Sequence, residues 1–229
     1  MKPVFTPAES TCLPVSGDTR CFPVHRVYCV GRNYADHALE MGGAPDREPP
    51  FFFSKPADAV TTRTTIPYPP MTHDLHHEVE LVIALSGGGN EVDVQDAEGL
   101  IFGYAVGVDL TRRDLQEVAK KQGRPWDVAK GFDCSAPISS ITPAAEIGHP
   151  VRGAITLSVN GQEKQRGDLK QMIWSVAEII AGLSCYFELK AGDLIFTGTP
   201  AGVSALQPGD RIDCGVEGVG RFHFTLENG

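Results

Sequence analysis

Two glutamates, Glu78 and Glu80, stand two residues apart in the apolar run from His77 to Leu85. On a strand, side chains alternate between faces, so the two carboxylates share one face and Val79, Leu81 and Ile83 take the other. Neighbouring carboxylates repel unless water or a cation separates them. A solvated strand face would supply water; Asp109 argues for a cation. It follows the mostly apolar stretch that starts at Leu100, where a lone carboxylate is costly to bury. Three carboxylates with open positions suit a hard ion such as Mg²⁺ or Mn²⁺. His76 and His77 beside Glu78 do not make the helical H-E-x-x-H of a zinc site.

A second constellation lies upstream. His37 and Glu40 are three residues apart and share a face if the segment is helical. A carboxylate beside an imidazole fixes its tautomer and raises its basicity, the arrangement of a base that activates water. An ordinary solvated helix fits the same spacing. Gly31 and Gly42-Gly43 bracket the segment and a proline-bearing loop follows to residue 50, the layout of a lid. Lys130, after Trp126-Asp127-Val128-Ala129, reads on its own as a surface lysine. Thr199, in the turn 197–203, either offers a hydroxyl or backbone donor to an anion or serves the turn alone.

Strands must position these groups. Short β-like runs occur at 26–30 and 51–53, and longer ones at 77–85 and 100–110. Residues 151–163 alternate and turn at Asn160-Gly161, a hairpin signal. A helix is expected over 34–41 with Asn33 as its N-cap. Another should run from a Thr111 cap, with Asp114 three residues on, to Gly123. A third should cover 176–187, with Ser175 and Glu178 as a capping box. Strands outnumber helices without alternating regularly with them. The expected class is α+β, with a β-rich mixed or layered sheet core and few short helices. No glycine-rich phosphate loop is present.

The chain has 229 residues, the size of one β-rich domain. Its net charge of −9 argues against nucleic-acid partners and anionic membranes, but not against a small anionic substrate at a local cation. No apolar run is long enough to span a bilayer and the first residues lack a signal-peptide pattern, so a cytoplasmic location is expected. The six cysteines form no C-x-x-C pair and read as reduced, small buried hydrophobes.

Taken in order, the motifs resemble the fumarylacetoacetate hydrolase family, in its short single-domain branch. They are GRNYADHALEMG at 31–42, FFFSKPADAV at 51–60, HHEVELVIAL at 76–85, GYAVGVDLTRRDLQ at 103–116, KQGRPWDVAK at 121–130 and GDLIFTGTPAGV at 192–203. The resemblance implies a turn-rich segment, 1–24, packed on a catalytic domain, 25–229, usually in a homodimer. It implies Glu78, Glu80 and Asp109 as Mg²⁺ or Mn²⁺ ligands. His37 and Glu40 become the lid dyad that activates water, and Lys130 the cation that steadies enolate charge. Arg113, Gln116 and Thr199 match substrate-contacting positions. The implied activity is C–C hydrolysis of an acylpyruvate. The EPPFFF run at 48–53 points to fumarylpyruvate, split to fumarate and pyruvate in aromatic catabolism. Other members decarboxylate oxaloacetate or isomerise unsaturated keto acids. Arg113, Arg32 or Lys55 would pair with the far carboxylate of such a substrate.

Overall fold

The computed structural model of the chain describes residues 2–6, 9–40 and 48–228, apart from the side chains of Ala38 and Glu40. Its centre is a six-stranded sheet in the order Thr142–Pro143, Ile101–Val108, Val79–Leu85, Leu194–Phe196, Val27–Gly31, Phe51–Lys55. All neighbours are antiparallel except Leu194–Phe196 with Val27–Gly31. A five-stranded sheet follows the order Gln162–Asp168, Ala154–Val159, Arg211–Val216, Gly220–Glu227, Thr65–Pro67. The fold is therefore α+β with layered sheets, as expected.

The alternation of side chains sorts the core into two clusters. Val79, Leu81, Ile83, Tyr104, Val106 and Ile195 leave the central sheet on one face and meet Ile155, Leu157, Ile212 and Phe224 of the second sheet. Val82, Ala84, Ala105, Leu194 and Phe196 leave on the other and meet Leu13 and Phe22 of the N-terminal hairpin. Each fully buried aliphatic or aromatic side chain contributes about 1.5–3 kcal/mol. The Val79–Leu85 strand is thus buried on both faces, which is why it reads as nearly continuous hydrophobics. Glu80 interrupts that run.

The hairpin between Ala154–Val159 and Gln162–Asp168 turns on Asn160 (φ 51°) and Gly161 (φ 78°), both left-handed as a type I′ turn requires. The helix Val176–Ser184 begins with the expected capping box, but ends before Phe187, which packs on Tyr28 instead. Two expected caps are not caps. Asn33 is buried and ties the Trp174 backbone to the Thr197 carbonyl. Thr111 bonds the Asp109 carbonyl, and the helix Arg113–Gln122 starts without a side-chain cap. Asn33 is claimed by partners far along the chain, and Thr111 by the carbonyl two residues before it. Gly123 (φ 61°) does end that helix. The Ala35–Glu40 helix forms, whereas Gly42-Gly43 and most of the following loop lie outside the described residues. Of the cysteines, only Cys29 and Cys214 are buried; Cys12, Cys21 and Cys185 are exposed and Cys134 is intermediate.

Candidate active site

The chemistry gathers at one end of the central sheet's second face. Glu80 lies on the Val79–Leu85 strand, with Glu78 just before it. Asp109 follows Ile101–Val108, the antiparallel neighbour, and its N–H donates to the Glu78 carbonyl at 2.8 Å. Ligand atoms of the three carboxylates lie within 4.8 Å of one another. All three are buried, at 5%, 2% and 0% exposure for Glu78, Glu80 and Asp109.

Three buried cations meet them. Lys130 Nζ donates to Glu78 Oε2 (2.7 Å) and Asp109 Oδ2 (2.6 Å). Lys55 Nζ lies 2.8 Å from Asp109 Oδ1 and donates to the carbonyls of Leu110 (3.1 Å) and Lys130. Arg113 donates to Glu78 Oε1 and, through its other terminal nitrogen, to Gln116 Oε1 (2.5 Å). Lys130 is thus no surface lysine. Burial opposes its charge, yet Asp109 and Glu78 hold its pKa above the ordinary value. Burial likewise opposes the Glu78 carboxylate, but Lys130 and Arg113 pull its pKa well below the usual range.

Glu80 differs. Its partner is the Gly198 N–H, at 2.7 Å, and no lysine or arginine forms an ion pair with it among the described residues. Burial, then Asp109 and Glu78, push its pKa well above normal. A divalent cation is the natural counter-charge for such a carboxylate. Asp109 Oδ1 also remains without a hydrogen bond despite its nearby lysine. Clustered carboxylate oxygens, one uncompensated charge and one unsatisfied buried oxygen fit a hard divalent ion.

The turn after Leu194–Phe196 shapes this end. Gly198 adopts φ 98°, and a Cβ there would stand 2.7 Å from the Asn33 Cβ. Only glycine lets the backbone present its N–H to Glu80 so close to Asn33. Thr199 lines the cavity, but its hydroxyl donates to the Val79 carbonyl (2.8 Å) and accepts from Gln165 Nε2 (2.8 Å). The hydroxyl therefore serves the turn, not an anion.

Gln165 escaped the sequence reading. It is fully buried, and its amide orientation is fixed because Nε2 also reaches the Pro200 carbonyl while Oε1 accepts from Val79 N–H (3.1 Å). His77 Nδ1, 2.8 Å from that Oε1, must then carry its proton, and Nε2 accepts from Ser204. Burial pushes the His77 imidazole down to about 4, so it is neutral at pH 7. One side chain from the second sheet thereby locks the turn to the strand that carries Glu80. A glutamine in a polar strand, Gln162–Asp168, carries no sequence signal of burial.

His37, on the Ala35–Glu40 helix, is buried and lines the same cavity, near enough to Glu78 to help lower its pKa. The Glu40 side chain lies outside the described residues. Arg113 and Gln116 also line the cavity. The outer wall is aromatic: Trp126 contacts Phe51 and Phe53 edge-on, with centroids 5.4 and 5.7 Å apart. Arg32 and Lys120 join that wall, the latter overlooked in the sequence because it sits on a polar helix.

A buried carboxylate triad at the edge of layered sheets, with a histidine helix beside it, defines a metal-binding site of one fold family. The sequence pattern of the fumarylacetoacetate hydrolase C-terminal family matches residues 26–227, and the chain belongs to that family. It is 46% identical over 189 residues to a fumarylpyruvate hydrolase of a Ralstonia species, covering 81% of this chain and 98% of that protein. It is 41% identical over 198 residues to the oxaloacetate tautomerase YcgM of Escherichia coli K12, covering 86% and 90% respectively. The crystal structure of fumarylpyruvate hydrolase from Pseudomonas aeruginosa, in complex with Mn²⁺ and pyruvate, matches with a TM-score of 0.98 and 48% identity over the whole of both chains.

Proposed function

We propose that the chain is a metal-dependent hydrolase that splits fumarylpyruvate with water into fumarate and pyruvate. The observation that carries this reading is the buried histidine helix beside the carboxylate triad: a candidate base next to a candidate cation site. Likeness to fumarylpyruvate hydrolases in both sequence and structure supports the substrate.

Glu78, Glu80 and Asp109 would hold Mg²⁺ or Mn²⁺, which supplies Lewis-acid charge for the keto-acid end of the substrate. His37 takes a proton from the water that attacks the 4-carbonyl, and Glu40, three residues on, orients its ring. Lys130 has three N–H groups, two of them bonded to Glu78 and Asp109. The third is available to the oxygen that becomes negative as pyruvate enolate departs. Arg113 and Gln116 hold the substrate in place, and Thr199 contributes its backbone N–H. We extend the reading to a cytoplasmic homodimer acting in aromatic catabolism, as the family resemblance implies.

The second reading, oxaloacetate tautomerisation or decarboxylation, is favoured by the 41% identical tautomerase. Neither reaction needs an attacking water, so His37→Ala separates the two. Loss of general-base help lowers fumarylpyruvate turnover by about 10²–10⁴-fold, with metal affinity measured by calorimetry unchanged. Equal turnover in the variant contradicts the role of His37. A wild type that acts on oxaloacetate far faster than on fumarylpyruvate favours the second reading.

A further inference from the structure

The cavity contains more cations than its carboxylates use. Lys55, Lys130 and Arg113 are each paired with Glu78 or Asp109. That removes Lys55 and Arg113 from the expected partners of a distant substrate carboxylate. Arg32 and Lys120 line the same cavity, and among the described residues neither forms an ion pair with an acid. They are held on the aromatic wall instead. The Arg32 guanidinium lies 5.9 Å from the Phe51 ring centroid and the Lys120 ammonium 5.3 Å from that of Trp126. Those two rings are in edge contact, so the wall carries both charges side by side.

We propose that Arg32 and Lys120 form the subsite for the second, distal carboxylate of a dicarboxylic acylpyruvate, and so select it over acylpyruvates with an uncharged acyl group. The proposal rests on the hydrolase reading above and names the residues that set its substrate class. The keto-acid end belongs at the carboxylate triad, where the cluster of carboxylate oxygens among the described residues can hold a divalent ion. A second carboxylate must then find its counter-charge elsewhere in the cavity, and these two cations pair with no acid among the described residues. The guanidinium can pair with a carboxylate through two parallel N–H bonds, and the ammonium adds a further donor. The rings between them offer a flat apolar surface to the planar unsaturated chain that links the two ends. Burial and the nearby Arg113 and Arg32 depress the Lys120 pKa, a crowding that a bound anion relieves.

The test is kcat/KM for pyruvate release from fumarylpyruvate and from acetylpyruvate, which shares the reacting diketo end but lacks the distal carboxylate. Wild type, Arg32→Gln, Lys120→Gln and Lys120→Arg are compared at one ionic strength. Each glutamine variant lowers the fumarylpyruvate-to-acetylpyruvate ratio by about 10–100-fold, the worth of a charge-assisted hydrogen bond. Lys120→Arg keeps most of the ratio. Arg32 is exposed, so its variant gives an answer even if the Lys120 variants fold poorly. Equal losses on both substrates overturn the subsite and leave the hydrolase reading standing, as does a wild type that cleaves acetylpyruvate alone. A wild type that releases pyruvate from neither overturns the hydrolase reading, and the subsite with it.

Discussion

The inner and outer ends of the cavity both carry positive charge, but they use it differently. At the inner end, Lys55, Lys130 and Arg113 are buried and neutralise the protein's own carboxylates. At the outer end, Arg32 and Lys120 rest on aromatic rings and form no ion pair with an acid among the described residues. The inner cations are therefore tied first to the protein's own carboxylates, whereas the outer pair is left for the distal end of a ligand. Glu80 is the exception at the inner end, a buried carboxylate that forms no ion pair with a lysine or arginine among the described residues. A net charge of −9 on the whole chain thus says little about a cavity lined by Arg32, Arg113, Lys120 and Lys130 close to its acids.

The comparison breaks most sharply at Lys130. Removing one partner of a buried ion pair leaves uncompensated charge and costs about 3–5 kcal/mol. Lys130→Met should lose stability of that order in urea denaturation with chelator present. A loss below about 1 kcal/mol would show that the inner charges are not a folding element. No comparable loss is expected for Arg32→Gln.

Glu80→Gln tests the exception. The amide can still accept from Gly198 N–H but removes a carboxylate that no lysine or arginine pairs with among the described residues. The variant should bind Mn²⁺ more weakly by at least ~10–100-fold, beyond what outer partners of ligands usually cost. In chelator it should be no less stable than wild type, and more stable by about 1 kcal/mol if the buried charge is relieved. Calorimetry and a denaturation curve on the same sample decide both points. Unchanged metal affinity removes Glu80 from the ligand set.

Gln165→Ala is the mildest perturbation, because it touches neither charge nor ligand. It strips hydrogen bonds from Val79 N–H, the Pro200 carbonyl and His77. Leaving such groups buried costs about 1–3 kcal/mol. Stability should fall by that amount, and kcat with it as the Gly198–Thr199 turn loosens. Unchanged stability would mean that water replaces the amide without loss.

What was legible in the sequence follows from how local each signal is. The strands at 77–85 and 100–110, the I′ turn and the Ser175 capping box are written in alternation and short spacing, and they formed as expected. Glu78, Glu80 and Asp109 stood out because carboxylates interrupt apolar runs. The caps assigned to Asn33 and Thr111 failed because each has a partner far away or in a loop that spacing does not reveal. For Thr199 the sequence left a turn role and a donor role open, and the structure bonds its hydroxyl to Val79 and Gln165. Gln165 and Lys120 were invisible because a polar residue in a polar segment gives no sign of facing inward. The burial of Lys130 became readable only through the family resemblance.

If this cavity hydrolyses an acylpyruvate with the help of a divalent ion held by Glu78, Glu80 and Asp109, turnover must follow the ion. The most direct measurement is product release from fumarylpyruvate by the purified protein after chelation and after Mn²⁺ is restored. Turnover should vanish in chelator, and fumarate and pyruvate should form in equal amounts once Mn²⁺ is added. Turnover that survives chelation, or Mn²⁺-loaded protein that yields no pyruvate, would contradict that reading.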